Sequence, residues 1–139
     1  NKEYINFNID KKIKPFGNIL SKSIISAINT LLYVLGTISI FLIITSITNN
    51  YLNLPPYINS IFNGVFEMTQ GLKSLELLNI SLNQKAILAI TFLSFGGLSV
   101  HMQILGIISD TKIKYFPYFI SRILHASIST LIFFIWKVL

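Results

Sequence analysis

The stretch Ser94-Phe95-Gly96-Gly97-Leu98-Ser99-Val100-His101-Met102-Gln103 decides how this chain folds, because it interrupts an apolar segment long enough to cross a bilayer. That segment runs from Ala86 to Ser109, and about 20 apolar residues are enough to span the hydrocarbon core. Two adjacent glycines cost roughly 2 kcal/mol of helix propensity relative to two alanines. A helix broken at mid-membrane is tolerated only where its freed backbone groups face protein or a water-filled cavity. The stretch therefore predicts a discontinuous helix that lines a site.

The composition of the chain indicates an integral membrane protein. Of the 139 residues, 53% are hydrophobic and only 12% are charged, whereas soluble domains carry about 25% charged residues. Eleven Lys and Arg against five Asp and Glu give a net charge of +6. Because the positive charges crowd outside the apolar runs, they indicate membrane topology and anionic headgroups rather than nucleic acid. The chain has no cysteine, which excludes disulfides and thiolate metal sites.

The apolar runs at the two ends of the chain predict transmembrane helices. Residues 24–47 carry no charge, and residues 116–137 end at the interface anchor Trp136-Lys137. Residues 16–28 place apolar side chains at helical spacing among polar ones. That pattern fits either a helix lying in the interface or the first turns of the next helix, so residues 16–48 are predicted as an interfacial segment plus the first transmembrane helix.

The N-terminal residues 1–15 are polar and lysine-rich, and they predict a cytoplasmic lead-in. The first residue is not Met, and no signal peptide is visible in this stretch. We therefore expect the chain to be part of a longer polytopic protein.

Residues 57–83 contain two apolar arms that are each too short to span the membrane. If this segment crossed, Lys112 and Lys114 would lie opposite the N-terminal lysines, against the positive-inside tendency. If it enters and leaves on one face, both basic stretches are cytoplasmic, and residues 48–56, which lack Lys and Arg, lie outside. We therefore predict a re-entrant hairpin with Thr69-Gln70-Gly71 at its tip.

The discontinuous helix is predicted over residues 84–109. Ser81 and Gln84 have the spacing of a capping box, which marks the start of a helix. In the last span, residues 116–137, Arg122 lies near enough to the first residue for its side chain to reach the membrane interface.

Glu67 is the only acidic residue between Ser23 and Leu72, and an ionisable side chain near mid-membrane is by default a functional hypothesis. It can bind substrate hydroxyls, carry a coupling proton or coordinate a cation; the structural alternative is a pair with Lys73.

His101 and Gln103 either line the site or hydrogen-bond neighbouring helices, and His125 is expected to have a structural pairing role beside Arg122. The candidate substrate-binding residues are Glu67, Thr69, Gln70, Ser94, Gly96, Gly97, Ser99, His101 and Gln103.

Motifs for catalysis or metal binding do not emerge from the sequence. Glu67, His101 and His125 lack the spacing of a metal site, and nothing places a base beside Ser99. The sequence contains no phosphate loop, dinucleotide fingerprint or protease signature. We expect no catalytic residue, no metal and no cofactor, and therefore no enzyme.

Several motifs carry a resemblance to a known family. They are Phe66-Glu67-Met68-Thr69-Gln70-Gly71, the opening stretch at 94–103, Ser109-Asp110-Thr111 and the run 117–125. From about Ile19 onward, the chain resembles the C-terminal half of a family of sporulation integral membrane proteins. That family belongs to the nucleoside-recognition, or Gate, domain superfamily, with concentrative nucleoside transporters and the membrane part of ferrous-iron transport proteins.

The resemblance implies an all-α integral membrane fold. Residues 16–139 would form one Gate-like membrane domain, half of a Gate-type fold, in which transmembrane helices accompany a re-entrant helical hairpin and a discontinuous helix. In nucleoside transporters the hairpin supplies a glutamate to the ribose, and Glu67 matches that position. The next broken helix supplies an asparagine and a serine, which fall on Ser94 and Gly97 here. This sequence therefore keeps the glutamate of the family's site, while the asparagine and the serine that also bind the nucleoside are replaced.

Three hypotheses for function follow. The first is a multi-pass sporulation protein, in the mother-cell or forespore membrane of a bacterium, that moves or senses a small solute at a midplane site. The alternatives are a proton- or sodium-coupled nucleoside transporter and a non-transporting scaffold for spore assembly. The expected partners are the lipid bilayer, an unknown small solute and the other half of the same polypeptide, with a homo-oligomer as an open alternative and no nucleic acid.

Overall fold

A computed structural model describes residues 16–138, so the predicted cytoplasmic lead-in of residues 1–15 lies outside the described residues. Within this range every regular element is a helix, which confirms the predicted all-α class. The helices are α1 (Phe16–Tyr51), α2 (Pro56–Phe66), α3 (Met68–Glu76), α4 (Leu82–Phe95), α5 (Gly97–Ile108) and α6 (Tyr115–Val138).

Three stretches of the described chain are long and apolar enough to cross a membrane: Phe16–Tyr51, Leu82–Ile108 and Tyr115–Lys137. Most apolar side chains of the first and last of these stretches point outward, as they do in helices that face lipid, whereas those of Leu82–Ile108 are mostly half-buried. Helix α1 runs without a break, so residues 16–28 are its first turns rather than a separate interfacial helix. It also extends three residues past the predicted boundary at residue 48. The chain is a multi-pass membrane protein.

Helices α2 and α3 are short and are joined by a single extended residue, Glu67 (φ −143°, ψ 109°). Their 11 and 9 residues correspond to about 17 and 14 Å, roughly half of a 30 Å hydrocarbon core. The two helices pack closely through Gly64 and Gly71, where a Cβ on Gly71 would overlap the Gly64 backbone. The re-entrant position of this pair in the bilayer stays a prediction.

The turn between these helices corrects the predicted tip. We expected the tip at Thr69-Gln70-Gly71, but these residues form the first turn of α3. The chain turns at Glu67 because its carboxylate accepts a hydrogen bond from the Thr69 N–H and so caps α3.

A small apolar core connects α3 with α4. Leu75, Leu78 and Phe92 are buried there, and the Phe92 ring also fills the space beside Gly64. The predicted capping box at the start of α4 is confirmed, since the Ser81 hydroxyl accepts from the Gln84 N–H.

The two outer helices pack against the discontinuous helix from opposite ends. Helix α6 lies along α4, where Thr91 and Thr130 are hydrogen-bonded at 3.1 Å. Helix α1 lies along α5, where the Tyr33 hydroxyl donates to the Met102 carbonyl at 2.9 Å. Gly106 leaves the room that the Tyr33 ring occupies.

The re-entrant arrangement can be tested with single cysteines, because the chain contains none. Asn53 lies between α1 and α2, and Asn79 lies between α3 and α4. If α2 and α3 enter and leave on one face, cysteines at both positions react with a membrane-impermeant maleimide added to the outside of intact cells. Labelling of the two positions from opposite sides would show that the segment crosses the membrane.

Packing between Gly64 and Gly71 predicts that Gly71→Ala destabilises the protein, because a Cβ at this position would overlap the backbone of α2. Overpacking of this kind costs roughly 1–3 kcal/mol. Gly36→Ala is the matched control, since a Cβ at Gly36 meets nothing within 4 Å. Thermal unfolding in detergent micelles, followed by circular dichroism, should show a lower Tm only for Gly71→Ala; equal Tm values would contradict the close packing.

Candidate functional site

The break in the discontinuous helix lies at the two adjacent glycines. Gly96 has φ +92° and Gly97 has φ +71°, a region that costs L-residues with side chains roughly 1–2 kcal/mol each. Gly96 closes α4 by donating its N–H to the Phe92 carbonyl at 2.8 Å, and α5 begins at the next residue. Two consecutive left-handed residues explain why this position carries a pair of glycines rather than one.

The turn at Glu67 lies directly against this break. A Cβ on Gly97 would stand 3.0 Å from the Met68 nitrogen and 3.4 Å from the Glu67 Cα. The backbone interruption between α2 and α3 therefore touches the one between α4 and α5. Any side chain at residue 97 would push the two apart.

The Glu67 carboxylate is enclosed at this contact, with only 2% of the residue exposed. Oε1 accepts hydrogen bonds from the Thr69 N–H at 3.1 Å and the Thr69 hydroxyl at 2.9 Å. Oε2 accepts from the Ser99 hydroxyl at 3.3 Å. These donors lie in the first turns of α3 and α5, so the positive ends of two helix dipoles converge on the carboxylate.

The structural alternative of a Glu67–Lys73 pair is not formed in the described chain. The hydrogen-bond partners of the carboxylate are Thr69 and Ser99, while Lys73 is exposed and lines a separate cleft. The carboxylate thus lies beside hydroxyl groups rather than beside a lysine or arginine.

Arg122 on α6 stabilises the broken end of α4. Its Nε donates to the Phe95 carbonyl at 3.1 Å, and one terminal nitrogen donates to the Leu93 carbonyl at 3.0 Å. Carbonyls in the last turn of a helix lack intrahelical partners. The sequence predicts that Arg122 reaches the interface, with His125 in a structural pair beside it; the structure instead turns Arg122 to the break and leaves the His125 side chain exposed. Only its position as the sole arginine in an apolar helix hinted at this role.

His101 lies outside the group around Glu67. It follows Ser99 by two residues, which is about 200° around an α-helix, so it faces α6. There its Nδ1 lies 2.7 Å from the Tyr115 hydroxyl, and its ring packs against the rings of Phe95, Tyr118 and Phe119. Of the two alternatives for His101, the structure therefore favours hydrogen bonding to a neighbouring helix over a position beside Glu67.

The remaining predicted residues divide between the break and its surroundings. Ser94 is buried in the last turn of α4, and Gly96 lies next to the Arg122 guanidinium. Gln70 lines a cleft whose lining does not include Glu67, and Gln103 is half-buried farther along α5. The residues that the structure brings into direct contact with Glu67 are Thr69, Gly97 and Ser99.

Comparison with known proteins gives one informative relative. Neither a protein-family model nor a solved structure matches the chain. It is 33% identical over 146 aligned residues to the sporulation integral membrane protein YlbJ of Bacillus subtilis (strain 168). The alignment covers 89% of this chain but only 35% of YlbJ, so the chain spans about a third of the length of that relative. The chain is homologous to this part of an integral membrane protein of sporulation.

The carbonyl contacts of Arg122 predict that Arg122→Leu weakens the junction between α4 and α5. Two hydrogen bonds from a charged group are lost, each worth about 1.5–3 kcal/mol, so the Tm in detergent should fall. Arg122→Lys is the matched control, because a lysine keeps the charge and can reach one carbonyl; it should show a smaller loss. An unchanged Tm for Arg122→Leu would show that the break does not depend on this side chain.

Proposed function

We propose that this chain forms half of a small-solute site in a polytopic membrane protein of sporulation, and that Glu67 binds the solute or a coupling cation there. One observation carries the proposal: a carboxylate 2% exposed lies where two helix interruptions meet inside an apolar protein. A carboxylate in the membrane interior is costly, and such groups generally mark substrate or ion pathways. A protein that needed only a lipid-facing helix would gain nothing from it.

The hydrogen bonds around Glu67 suit a carboxylate that exchanges one hydrogen-bond donor for another. Its two oxygens are held by hydroxyls and one N–H, and the contact with Ser99, at 3.3 Å, is the longest of the three. A hydroxyl of a solute can replace the Ser99 hydroxyl at Oε2 without leaving the carboxylate unpaired. A proton or a cation at the same oxygen would neutralise the charge instead.

The helix ends around Glu67 also restrict the chemistry of the solute. In transporters with broken helices, the positive N-terminal ends point at anionic groups of the substrate. Here the chain's own carboxylate occupies the N-terminal ends of α3 and α5. We therefore propose a solute that presents hydrogen-bond donors or a positive charge to Glu67, rather than an anion.

A nucleoside transporter coupled to protons or sodium is the narrower form of this proposal, and it rests on the resemblance to the Gate superfamily. Glu67 would receive ribose hydroxyls. Gly97, however, has no side chain to offer, and its Cα approaches the backbone of the hairpin turn, so a nucleoside would have to be read by other residues.

A membrane scaffold for spore assembly is the second candidate, and the surface of α1 favours it. Only 11% of its most apolar stretch is buried, and Gly36 faces open space. Such a surface fits a neighbouring helix as well as it fits lipid, since small residues allow helices in membranes to approach closely. A scaffold would need this face and would not need the charge of Glu67.

The carboxylate is tested by Glu67→Gln in the complete gene of the sporulating organism that carries it. The exposed Glu76→Gln, in the last turn of α3, is the matched control. If Glu67 binds the solute, its variant should lose formation of heat-resistant spores while its membrane abundance, measured by immunoblot, stays normal. Loss of a charge-assisted hydrogen bond of about 1.5–3 kcal/mol corresponds to a loss in solute affinity of about 10- to 140-fold.

Normal heat-resistant spores from the Glu67→Gln strain would contradict a working site at this residue. If Gly36→Leu then abolished co-purification with other spore-membrane proteins, the scaffold would be the better description.

A further inference from the structure

A second polar feature has a lining that includes no residue of the helix break. It is a cleft of about 210 Å³ between the end of α1 and the pair α2 and α3. We call it the amide cleft, because side-chain amides dominate its lining, which consists of Asn49, Asn59, Asn63, Gln70, Lys73, Ser74 and Leu77. Glu67 is not part of this lining.

Two asparagines of the amide cleft have unpaired oxygens. Asn63 is only 4% exposed, and its Oδ1 accepts no hydrogen bond within the described chain; the same is true of the buried Oδ1 of Asn59. The Ser74 hydroxyl, by contrast, lies 2.7 Å from the Gly71 carbonyl and 2.8 Å from the Ser60 hydroxyl. Buried amide groups are nearly always satisfied. The unpaired amide oxygens therefore point to a partner outside the chain.

The residue types of the amide cleft define the chemistry of that partner. The lining contains no carboxylate and includes the ammonium of Lys73, which disfavours a cation. Amide oxygens in the cleft wall disfavour an anion. Each side-chain amide has an NH2 donor next to an oxygen acceptor. If the amide is rotated by 180°, the nitrogen and the oxygen exchange places, and both still need hydrogen-bond partners. A hydroxyl group, which both donates and accepts, matches this arrangement.

The size and position of the amide cleft limit the partner further. Pockets for drug-sized ligands have about 300–1,000 Å³, so 210 Å³ suits a molecule of monosaccharide size or smaller. Asn49 lies in the last turns of α1, and Leu77 directly follows α3. The cleft thus opens toward the ends of these helices, where soluble molecules and lipid headgroups are both present.

We propose that the amide cleft binds a small polyhydroxylated molecule through Asn59, Asn63 and Gln70, either free in solution or as the glycerol headgroup of a lipid. This site is separate from Glu67 and does not depend on the proposed function. Gln70, which the sequence grouped with the acid, belongs to this second site.

The test measures access to the amide cleft in the full-length protein, in a cysteine-free background and reconstituted in phosphatidylcholine nanodiscs. A cysteine replacing Ser74, a half-buried residue of the lining, reports from the cleft, and one replacing the exposed Glu76, which is not part of the lining, is the control. Glycerol, glucose and inositol are the soluble probes. At ten times its Kd, a bound probe should slow maleimide labelling of Ser74→Cys about tenfold, by simple occupancy, and should leave Glu76→Cys unchanged.

Nanodiscs of phosphatidylglycerol, without added polyol, distinguish the two sources. Slower labelling of Ser74→Cys in phosphatidylglycerol alone assigns the cleft to a lipid headgroup, whereas protection by a polyol in phosphatidylcholine assigns it to a free solute. Adding Gln70→Leu should abolish either protection, and Asn59→Leu provides a second variant at a half-buried position. Labelling unaffected by every polyol and by phosphatidylglycerol, protection of both reporters alike, or protection that persists in both leucine variants would overturn the proposal.

Discussion

The contact between Glu67 and the glycine pair Gly96-Gly97 is the constraint on which the rest of this structure depends. Each partner is an interruption in helical backbone, and each leaves polar groups that a membrane interior cannot hydrate. Placed together, they satisfy part of that need: Glu67 accepts from Thr69 at the start of α3 and from Ser99 near the start of α5. The absence of a side chain on Gly97 allows the two interruptions to touch.

Close backbone approach recurs at the other junctions. Gly64 and Gly71 bring α2 onto α3, and Gly106 admits the Tyr33 ring between α1 and α5. In a membrane, where lipid is as apolar as the side chains, packing and hydrogen bonding hold helices together more than apolar burial does. This agrees with the small buried apolar core of Leu75, Leu78 and Phe92. Arg122 adds a polar link by holding the carbonyls at the end of α4 from a different helix.

The two polar regions of the hairpin differ in chemistry. On one side, Glu67 is an acid held by hydroxyls and helix ends; on the other, Asn59 and Asn63 are neutral amides with unpaired oxygens. Helices α2 and α3 therefore contribute residues both to an acidic site and to an amide-lined one. The homologous part of YlbJ covers about a third of that protein, so either region can be completed by residues outside this chain.

Elements with local signals could be predicted from the amino-acid sequence. Apolar length predicted the spans, the glycine pair predicted the break, and the Ser81–Gln84 spacing predicted the start of α4. The isolation of Glu67 in an otherwise uncharged stretch also predicted that it belongs to a functional site. The side chains that contact Glu67 could be identified only from the packing of the helices. The turn falls at Glu67 rather than at Thr69-Gln70-Gly71, His101 faces the aromatic rings of α6, and Arg122 reaches back to the break. The physical reason is that spacing along a chain defines a helix, whereas the rotation of one helix against another is decided by packing between residues distant in sequence.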